Sequence, residues 1–312
     1  MSDLSDLNRH LGDYLRLRRA LGFKLAYPGQ VLPQFLTYLA QAGATSVSTV
    51  HALAWARLPQ DVQPIHHAHR LGAVRGFAAY LQSIDPDTEV PPKDAFGARQ
   101  QRPVPYLWEP AQVQSLLEAA HLLQPSWRAK TYETIYGLLA VTGLRIGEVL
   151  ALNCDDVDLD AGILTVTGQK SRPRLIPVAP STIAALSGYR QQRQQWATHP
   201  SDTAFFLTAT GTPVTPGPLR TTFNQLTTAL GLRTDTVQPR IHDLRHSFAV
   251  HTLIDWQRSG ADIAALLPRL STYLGHVNPA GTYWYLQAVP ELMGLAAAQL
   301  QARFPTPKGA RA

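Results

Sequence analysis

Three short stretches hold the residues most suited to chemistry on an anion. The first, HDLRHSFAVHTL (242–253), contains three histidines and an arginine. On a helix, His242 and Arg245 would project from one face, near an N-terminus whose unpaired N–H groups and dipole favour anions. His246 follows His242 by four residues, a spacing that also suits zinc, and packing in a core is a third interpretation. The stretch alone leaves all three open.

The second stretch is TGLRIGEVLAL (142–152), in which a glycine interrupts a helical pattern. Arg145 would begin the second helix, and Glu148 three residues on would face the same way. The helix dipole disfavours a cation at this end. The arginine is therefore explained either by an ion pair with Glu148 or by an anion that it faces.

The third stretch, LGHVNPAGTYWYL (274–286), places His276 ahead of an aromatic cluster that contains Tyr283 and Tyr285. Aromatic clusters are usually part of a core, so these tyrosines carry no assignment by themselves. Lys170 is the one lysine between Lys130 and Lys308.

Composition favours a protein that binds phosphate but does not require one. The chain has 312 residues, a net charge of +6 and a pI near 9.5. Its 28 basic residues include only five lysines, and the guanidinium fork of arginine matches phosphate oxygens. A GC-rich genome explains the same bias. The single cysteine, Cys154, excludes an internal disulfide and a cysteine-based zinc site.

No sequence signal for a cofactor is present. The chain contains neither GxxxxGK[ST] nor GxGxxG, and it has no acidic metal cluster, so we expect no ATP, NAD or magnesium. No run approaches the roughly 18 apolar residues of a membrane helix, and the first residues do not resemble a signal peptide. We expect a cytoplasmic, nucleoid-associated protein.

Hydrophobic periodicity predicts a mainly α fold with a small antiparallel β-meander, in two domains. Residues 1–90 form the first, helical domain, and residues 91–105 are a proline-rich linker. The second domain spans 106–304 and is followed by a tail, 305–312.

Individual elements follow from the same patterns. In the first domain we expect helices over 11–25, 31–43, from Ser48 and over 66–84, the last with Leu71, Val74, Phe77, Ala78 and Leu81 on one face and His67, Arg70 and Arg75 on the other. In the second domain we expect a helix that ends at Gly143, strands in DVDL, 163–168 and 174–178, helices at 181–196, 217–230, 242–258 and 262–268, and further helix from Tyr283 and over 290–303.

Together, TGLRIGE, HDLRHSFA and LGH followed nine residues later by a tyrosine resemble the tyrosine recombinases of the integrase family. The resemblance covers 106–300 in order and spacing, and the helical first domain is similar to the core-binding domain of that family. It implies an enzyme that cleaves and rejoins DNA through a 3′-phosphotyrosyl intermediate, without ATP or metal.

The resemblance also implies a role for each matching residue. Arg145 and Arg245 would bind the scissile phosphate, with His242 and His276 beside them and Glu148 in support. Tyr285 would be the nucleophile, and Tyr283 is its competitor. Lys170 matches the lysine of the hairpin between the second and third expected strands, 163–168 and 174–178, although the compact GQKSRP segment puts Gln169 where one register expects that lysine. Arginines expected to contact DNA are Arg16, Arg19, Arg70, Arg75, Arg172 and Arg174.

The implied partners are double-stranded DNA recombination sites, further copies of the chain in a tetramer, and accessory DNA-bending proteins. Integration or transposition of a mobile genetic element is the expected role. Two alternatives remain: a type IB topoisomerase, which shares the chemistry, and a non-catalytic DNA-binding regulator on the same scaffold.

Overall fold

A computed structural model describes residues 4–97, 104–168, 173–196, 203–276 and 282. The chain divides into two compact units, Met1–Pro103 and Val104–Ala312. The fold is mainly helical with one small sheet, as the sequence predicts. Its elements in the described residues are α1 (Leu4–Ala20), α2 (Ala26–Gln41), α3 (Thr49–Arg57), α4 (Pro64–Gln82), α5 (Pro110–His121), α6 (Ser126–Thr142), α7 (Ile146–Val149), β1 (Val157–Asp158), β2 (Ile163–Val166), β3 (Arg174–Pro177), α8 (Pro180–Trp196), α9 (Pro216–Ala229), α10 (Ile241–Arg258) and α11 (Ile263–Leu274).

The first unit is a helical bundle whose core is formed by residues of all four helices, α1 to α4. The apolar face predicted for α4 is confirmed, because all five of its residues are buried. They pack with Leu32, Phe35 and Leu39 of α2. Ser48 caps α3 as predicted, since its hydroxyl accepts a hydrogen bond from the backbone N–H of His51 at 3.3 Å.

Two predictions for the first unit are wrong in detail. Helix α1 begins at Leu4 and ends at Ala20, where the chain turns through Gly22, so the helix expected over 11–25 begins and ends too late and Leu21 is exposed. Arg70 is buried rather than on a polar face. Its guanidinium carbon lies 3.6 Å from the centroid of the Trp55 ring, and it donates to the Trp55 carbonyl at 3.1 Å. Stacking on an aromatic ring allows the arginine to enter the core.

The first residues of the proline-rich segment pack on the helices of the first unit. Glu89 accepts a hydrogen bond from the backbone N–H of Thr49 at 2.7 Å, and Arg75 donates to the Pro91 carbonyl at 2.6 Å. The ring of Phe96 lies 5.7 Å from that of His67. The first part of the predicted linker, 91–105, therefore contacts the helices that precede it.

The second unit is built around an aromatic core. The ring of Phe223 from α9 lies 5.7 Å from Trp108 and 5.6 Å from Tyr136 of α6. Burial raises the pKa of Tyr136, and its hydroxyl donates to the Leu219 carbonyl at 2.8 Å. Helix α10 joins this core through Ser247, whose hydroxyl accepts from the backbone N–H of Trp108 at 2.8 Å.

The predicted three-stranded antiparallel meander is confirmed, with strand order β1–β2–β3. The first strand is shorter than expected from DVDL. The Asp158 carboxylate accepts hydrogen bonds from the backbone N–H groups of Asp160 and Ala161, which turns the chain at once. Val166 is paired with Arg174, so residues 167–173 connect β2 and β3.

Two glycines with positive φ end the helices that lead into the motifs TGLR and LGH. Helix α6 ends at Gly143, as predicted, with φ 61°, and α11 ends at Gly275 with φ 67°. Helix α11 runs past the predicted end at 268, and its apolar residues pack on α10. The predictions for Tyr283 and for 290–303 lie outside the described residues. None of the described helices is long and apolar enough to span a membrane.

We expect Gly143→Ala to destabilise the protein by about 1–3 kcal/mol. A Cβ at this position would adopt an unfavourable φ and lie 2.5 Å from the Phe248 ring. Chemical denaturation measures the change. As a control, Gly188→Ala in α8 meets nothing within 4 Å, and it should leave stability equal or slightly higher. Equal stability of Gly143→Ala and wild type would contradict the prediction.

Candidate active site

The carboxyl end of α11 gathers arginines from three other elements. The Leu274 carbonyl accepts from Nη2 of Arg245 at 2.7 Å, from Nη1 of Arg145 at 3.4 Å and from Nη2 of Arg174 at 3.5 Å. The two longer contacts are weak hydrogen bonds. A helix carboxyl end carries partial negative charge, which favours cations there. Segments far apart in sequence thus meet at one point.

Arg245 lies deepest in this cluster, with 2% of its surface exposed. It projects from the first turns of α10, as the sequence predicts. Its Nη1 donates to the Gly143 carbonyl at 2.8 Å, and its Nη2 lies 2.9 Å from Nε2 of His276. One guanidinium therefore joins the ends of α6 and α11.

Arg145 is more open, with 38% of its side chain exposed. It is the residue before α7, and its predicted ion pair with Glu148 is present at 2.9 Å. The Arg145 backbone N–H also donates to Glu148 at 3.0 Å, and its Nη2 donates to the Gly275 carbonyl at 3.2 Å. These contacts fix the guanidinium while one edge still faces solvent.

Glu148 is the carboxylate that serves two of the three arginines, although only 6% of it is exposed. Burial alone would raise its pKa. Hydrogen bonds from Arg174 and from the Arg145 backbone, together with the two positive charges, outweigh that effect and lower the pKa of Glu148. The carboxylate is therefore ionised at neutral pH and offsets part of the repulsion among the guanidinium groups.

The tautomer of His276 follows from its partners. A guanidinium only donates, so Nε2 of His276 accepts from Arg245 and the proton lies on Nδ1. Nδ1 lies 2.7 Å from the hydroxyl of the buried Thr282, which then accepts. His276 is thus neutral and held on both sides of its ring.

His242 lies at the surface of the same region and is also neutral at pH 7. Its pKa is lowered from 6.5 to about 4, first by desolvation among the surrounding side chains and then by the positive charge of Arg245, with a smaller contribution from Arg145. Part of the side chain still faces solvent. At pH 7 the imidazole is therefore uncharged and has a lone pair that can accept a proton, and the lowered pKa makes it a weaker base than an ordinary histidine.

The zinc interpretation of HDLRH has no support in the described part of the chain. The His242 and His246 rings pack edge to face with centroids 4.7 Å apart. Asp243 between them is buried and paired with Arg240 at 2.7 Å, where it caps the start of α10. Among the described residues, no group of three His, Cys, Asp or Glu side chains could hold a metal ion.

The arginines predicted to contact DNA fall into three groups. Arg16 and Arg19 are exposed on α1, and Arg16 pairs with Asp13. Arg70 is buried and Arg174 is half-buried, and both guanidinium groups donate hydrogen bonds within the protein. Arg75 is half-buried. Three predicted residues lie outside the described ones: Lys170, Arg172 and Tyr285.

Sequence patterns do not identify three parts of this site. Arg174 binds Glu148, which lies 26 positions away in the sequence. The carbonyls that accept from the arginines are backbone atoms, which every residue type has, so the sequence does not reveal them. Thr282, whose hydroxyl contacts His276, belongs to no sequence motif that would indicate this contact. The i,i+3 spacing of Arg145 and Glu148, by contrast, is visible directly.

Comparison with known proteins identifies the family. The model of the Phage integrase family matches residues 108–291, more than half of the chain. A Sinorhizobium fredii protein described as an integrase/recombinase is 40% identical over 310 residues, which cover 96% of this chain and 99% of that protein. The chain therefore belongs to the phage integrase family.

Other relatives agree with this assignment. The tyrosine recombinase XerC of Roseiflexus sp. is 32% identical over 222 residues, 70% of this chain and 66% of the relative. In fold, the Tn1549 transposon integrase in complex with circular intermediate DNA matches with a TM-score of 0.65 at 18% identity, covering 94% of this chain and 99% of that one. The XerH recombinase bound to its difH substrate matches with a TM-score of 0.65 at 16% identity, covering 87% and 78%.

The predicted class of enzyme is thereby confirmed. The protein is a tyrosine recombinase: it recombines DNA at specific sites by cleaving and rejoining strands through transesterification.

We expect the His242 imidazole to titrate near pH 4 rather than 6.5. Because the folded pKa lies below the unfolded one, the contribution of His242 to stability is present above pH 6.5 and is lost as the pH falls from 6.5 toward 4. A histidine NMR titration measures the midpoint. In Arg145→Gln, which removes one lowering charge, the midpoint should rise. A wild-type midpoint at 6.5 would contradict the assignment.

Proposed function

We propose that strand cleavage takes place at the cluster formed by Arg145, Arg245, His242 and His276, with Tyr285 as nucleophile. The observation that carries the proposal is the convergence of Arg145 and Arg245 on the Leu274 carbonyl, with His276 bonded to Arg245. Two guanidinium groups at one point form a site for an anion that carries two equivalent oxygens.

The arginines stabilise the transition state electrostatically. The non-bridging oxygens of a phosphodiester gain negative charge during attack, and fixed cations lower the energy of that state. Arg145 presents its open edge to one oxygen, while the buried Arg245 supplies charge from beneath. The α11 carbonyls hold both groups in place before DNA binds, so little reorganisation accompanies the reaction.

His242 accepts the proton of the nucleophile in this proposal. A tyrosine hydroxyl has a pKa of about 10 and is a weak nucleophile at pH 7 until a base assists it. The neutral imidazole of His242 is such a base. The positive charges that lower its pKa also favour the phenolate that forms.

The bonds balance without a cofactor. The Tyr285 oxygen forms a bond to phosphorus, the P–O5′ bond breaks, and the product is a 3′-phosphotyrosyl link. The leaving 5′-oxygen takes a proton from Lys170, the proposed general acid on the β2–β3 hairpin. In the second step, a 5′-hydroxyl of the partner strand attacks the phosphotyrosine and gives its proton to the now neutral Lys170, while Tyr285 leaves and regains its proton from His242.

The biological role that we propose is movement of a mobile genetic element, by integration or transposition. Support comes from the names of an integrase/recombinase of Sinorhizobium fredii and of a transposon integrase among the similar proteins. The protein would act as a tetramer on two DNA duplexes, with accessory DNA-bending proteins. Arg16 and Arg19, exposed on the first unit, would add phosphate contacts that weaken as salt increases.

A nicked suicide DNA substrate tests this assignment. The wild-type protein should form a covalent adduct that survives a denaturing gel. The short fragment that carries the new 5′-hydroxyl diffuses away at the nick, so it cannot rejoin the strand held by the protein. Tyr285→Phe should form none, since it lacks the attacking oxygen, whereas Tyr283→Phe should still form it.

Adduct formation by Tyr285→Phe, or its loss in Tyr283→Phe alone, would overturn the choice of nucleophile. Transfer of the held strand to a second duplex distinguishes recombination from topoisomerase activity, which reseals the original duplex.

A further inference from the structure

Arg174 is the first residue of β3 and lies at the base of the hairpin that carries Lys170. Its strand partner is Val166, the last residue of β2. This strand pair therefore anchors both ends of the seven-residue segment 167–173. Whatever fixes Arg174 also fixes the point from which the hairpin extends.

The Arg174 guanidinium binds two parts of the site at once. Its Nη1 and Nη2 donate to the two oxygens of Glu148 at 3.1 Å and 2.9 Å, a bidentate pair. Its Nε donates to the Tyr273 carbonyl at 2.8 Å, in the last turn of α11. Only 9% of the side chain is exposed.

Arg174 also packs closely against Gly275, the residue before His276. A Cβ added to Gly275 would lie 2.8 Å from the Arg174 guanidinium carbon. The Gly275 carbonyl meanwhile accepts from Arg145 at 3.2 Å. Arg174 and Arg145 therefore hold the same turn, and both hold the same carboxylate.

A bidentate partner changes what Glu148 can do. Held by Arg145 alone, the carboxylate would keep one hydrogen bond from the Arg145 backbone N–H and one from the guanidinium that it has to orient. With both oxygens held by Arg174, its plane is fixed, and it becomes a rigid acceptor for the Arg145 guanidinium. A buried ion pair is weak evidence for stability by itself, so its geometry is the informative feature.

We propose that Arg174 is a positioning residue for strand cleavage, which orients Arg145 through Glu148 and fixes the hairpin base to the end of α11. It does not touch the phosphate. This role rests on the proposed function of the Arg145–Arg245 cluster.

Single-turnover cleavage of suicide DNA at saturating protein tests the role. We expect Arg174→Lys to slow cleavage by about 10²-fold, the cost of a small misplacement of a reacting group. Its affinity for uncleaved DNA should change much less. Lysine keeps the charge but cannot engage both carboxylate oxygens and the Tyr273 carbonyl.

A double-mutant cycle tests the route through Glu148. Glu148→Gln, Arg174→Met and their combination are compared with wild type. If Arg174 acts through Glu148, the two rate losses are not additive, and the double variant is about as slow as the slower single one. The double variant also removes both buried charges together, which preserves folding if Arg174→Met alone does not fold.

Arg193 in α8 supplies the matched control. It is 7% exposed and donates to the Ala204 carbonyl at 2.8 Å, outside the arginine cluster. Arg193→Lys should lower the melting temperature but leave the cleavage rate unchanged.

Two results would overturn the positioning role. In one, Arg174→Lys cleaves at the wild-type rate. In the other, the losses in the cycle are fully additive. Either result leaves adduct formation by the wild type, and thus the proposed function, intact. Absence of any adduct in the wild type would instead overturn the proposed function and this role with it.

Discussion

The site depends on one helix end that offsets the repulsion among three guanidinium groups. Arg145, Arg174 and Arg245 come from a helix start, a strand and a second helix, and like charges at this separation would move apart without acceptors between them. The last carbonyls of α11 and the buried carboxylate of Glu148 supply those acceptors. The remaining positive charge is then concentrated where a phosphate oxygen can be stabilised.

Helix termination is what makes this arrangement possible. The last carbonyls of a helix have no partner within it and must find donors elsewhere. Gly143 and Gly275 end α6 and α11 in a left-handed conformation that other residues disfavour. The carbonyls near both ends then accept from Arg245. The same atoms that close two helices therefore orient a side chain proposed to act in catalysis.

The sequence predicts the local parts of this protein better than the long-range ones. The meander, the end of α6 at Gly143 and the apolar face of α4 follow from patterns within a few residues, as does the pairing of Arg145 with Glu148. The partners of Arg174 lie 26 and 99 positions away, and two of its acceptors are backbone atoms, so no spacing reveals them. Helical periodicity places Arg70 on a polar face. This prediction is wrong because the stacking of Arg70 on Trp55 depends on tertiary packing, which periodicity does not show. The roles of Lys170 and Tyr285 stay predictions.

The most direct measurement is a crystal structure of Tyr285→Phe bound to uncleaved DNA. A non-bridging oxygen of the scissile phosphate should lie within hydrogen-bonding distance of Arg145, with Arg245 directly beneath the phosphate and Glu148 still between Arg145 and Arg174. The ring of residue 285 should face phosphorus opposite the 5′-oxygen. A phosphate held by other residues, with these arginines bonded only to the α11 carbonyls and Glu148, would contradict the assignment of this cluster as the cleavage site.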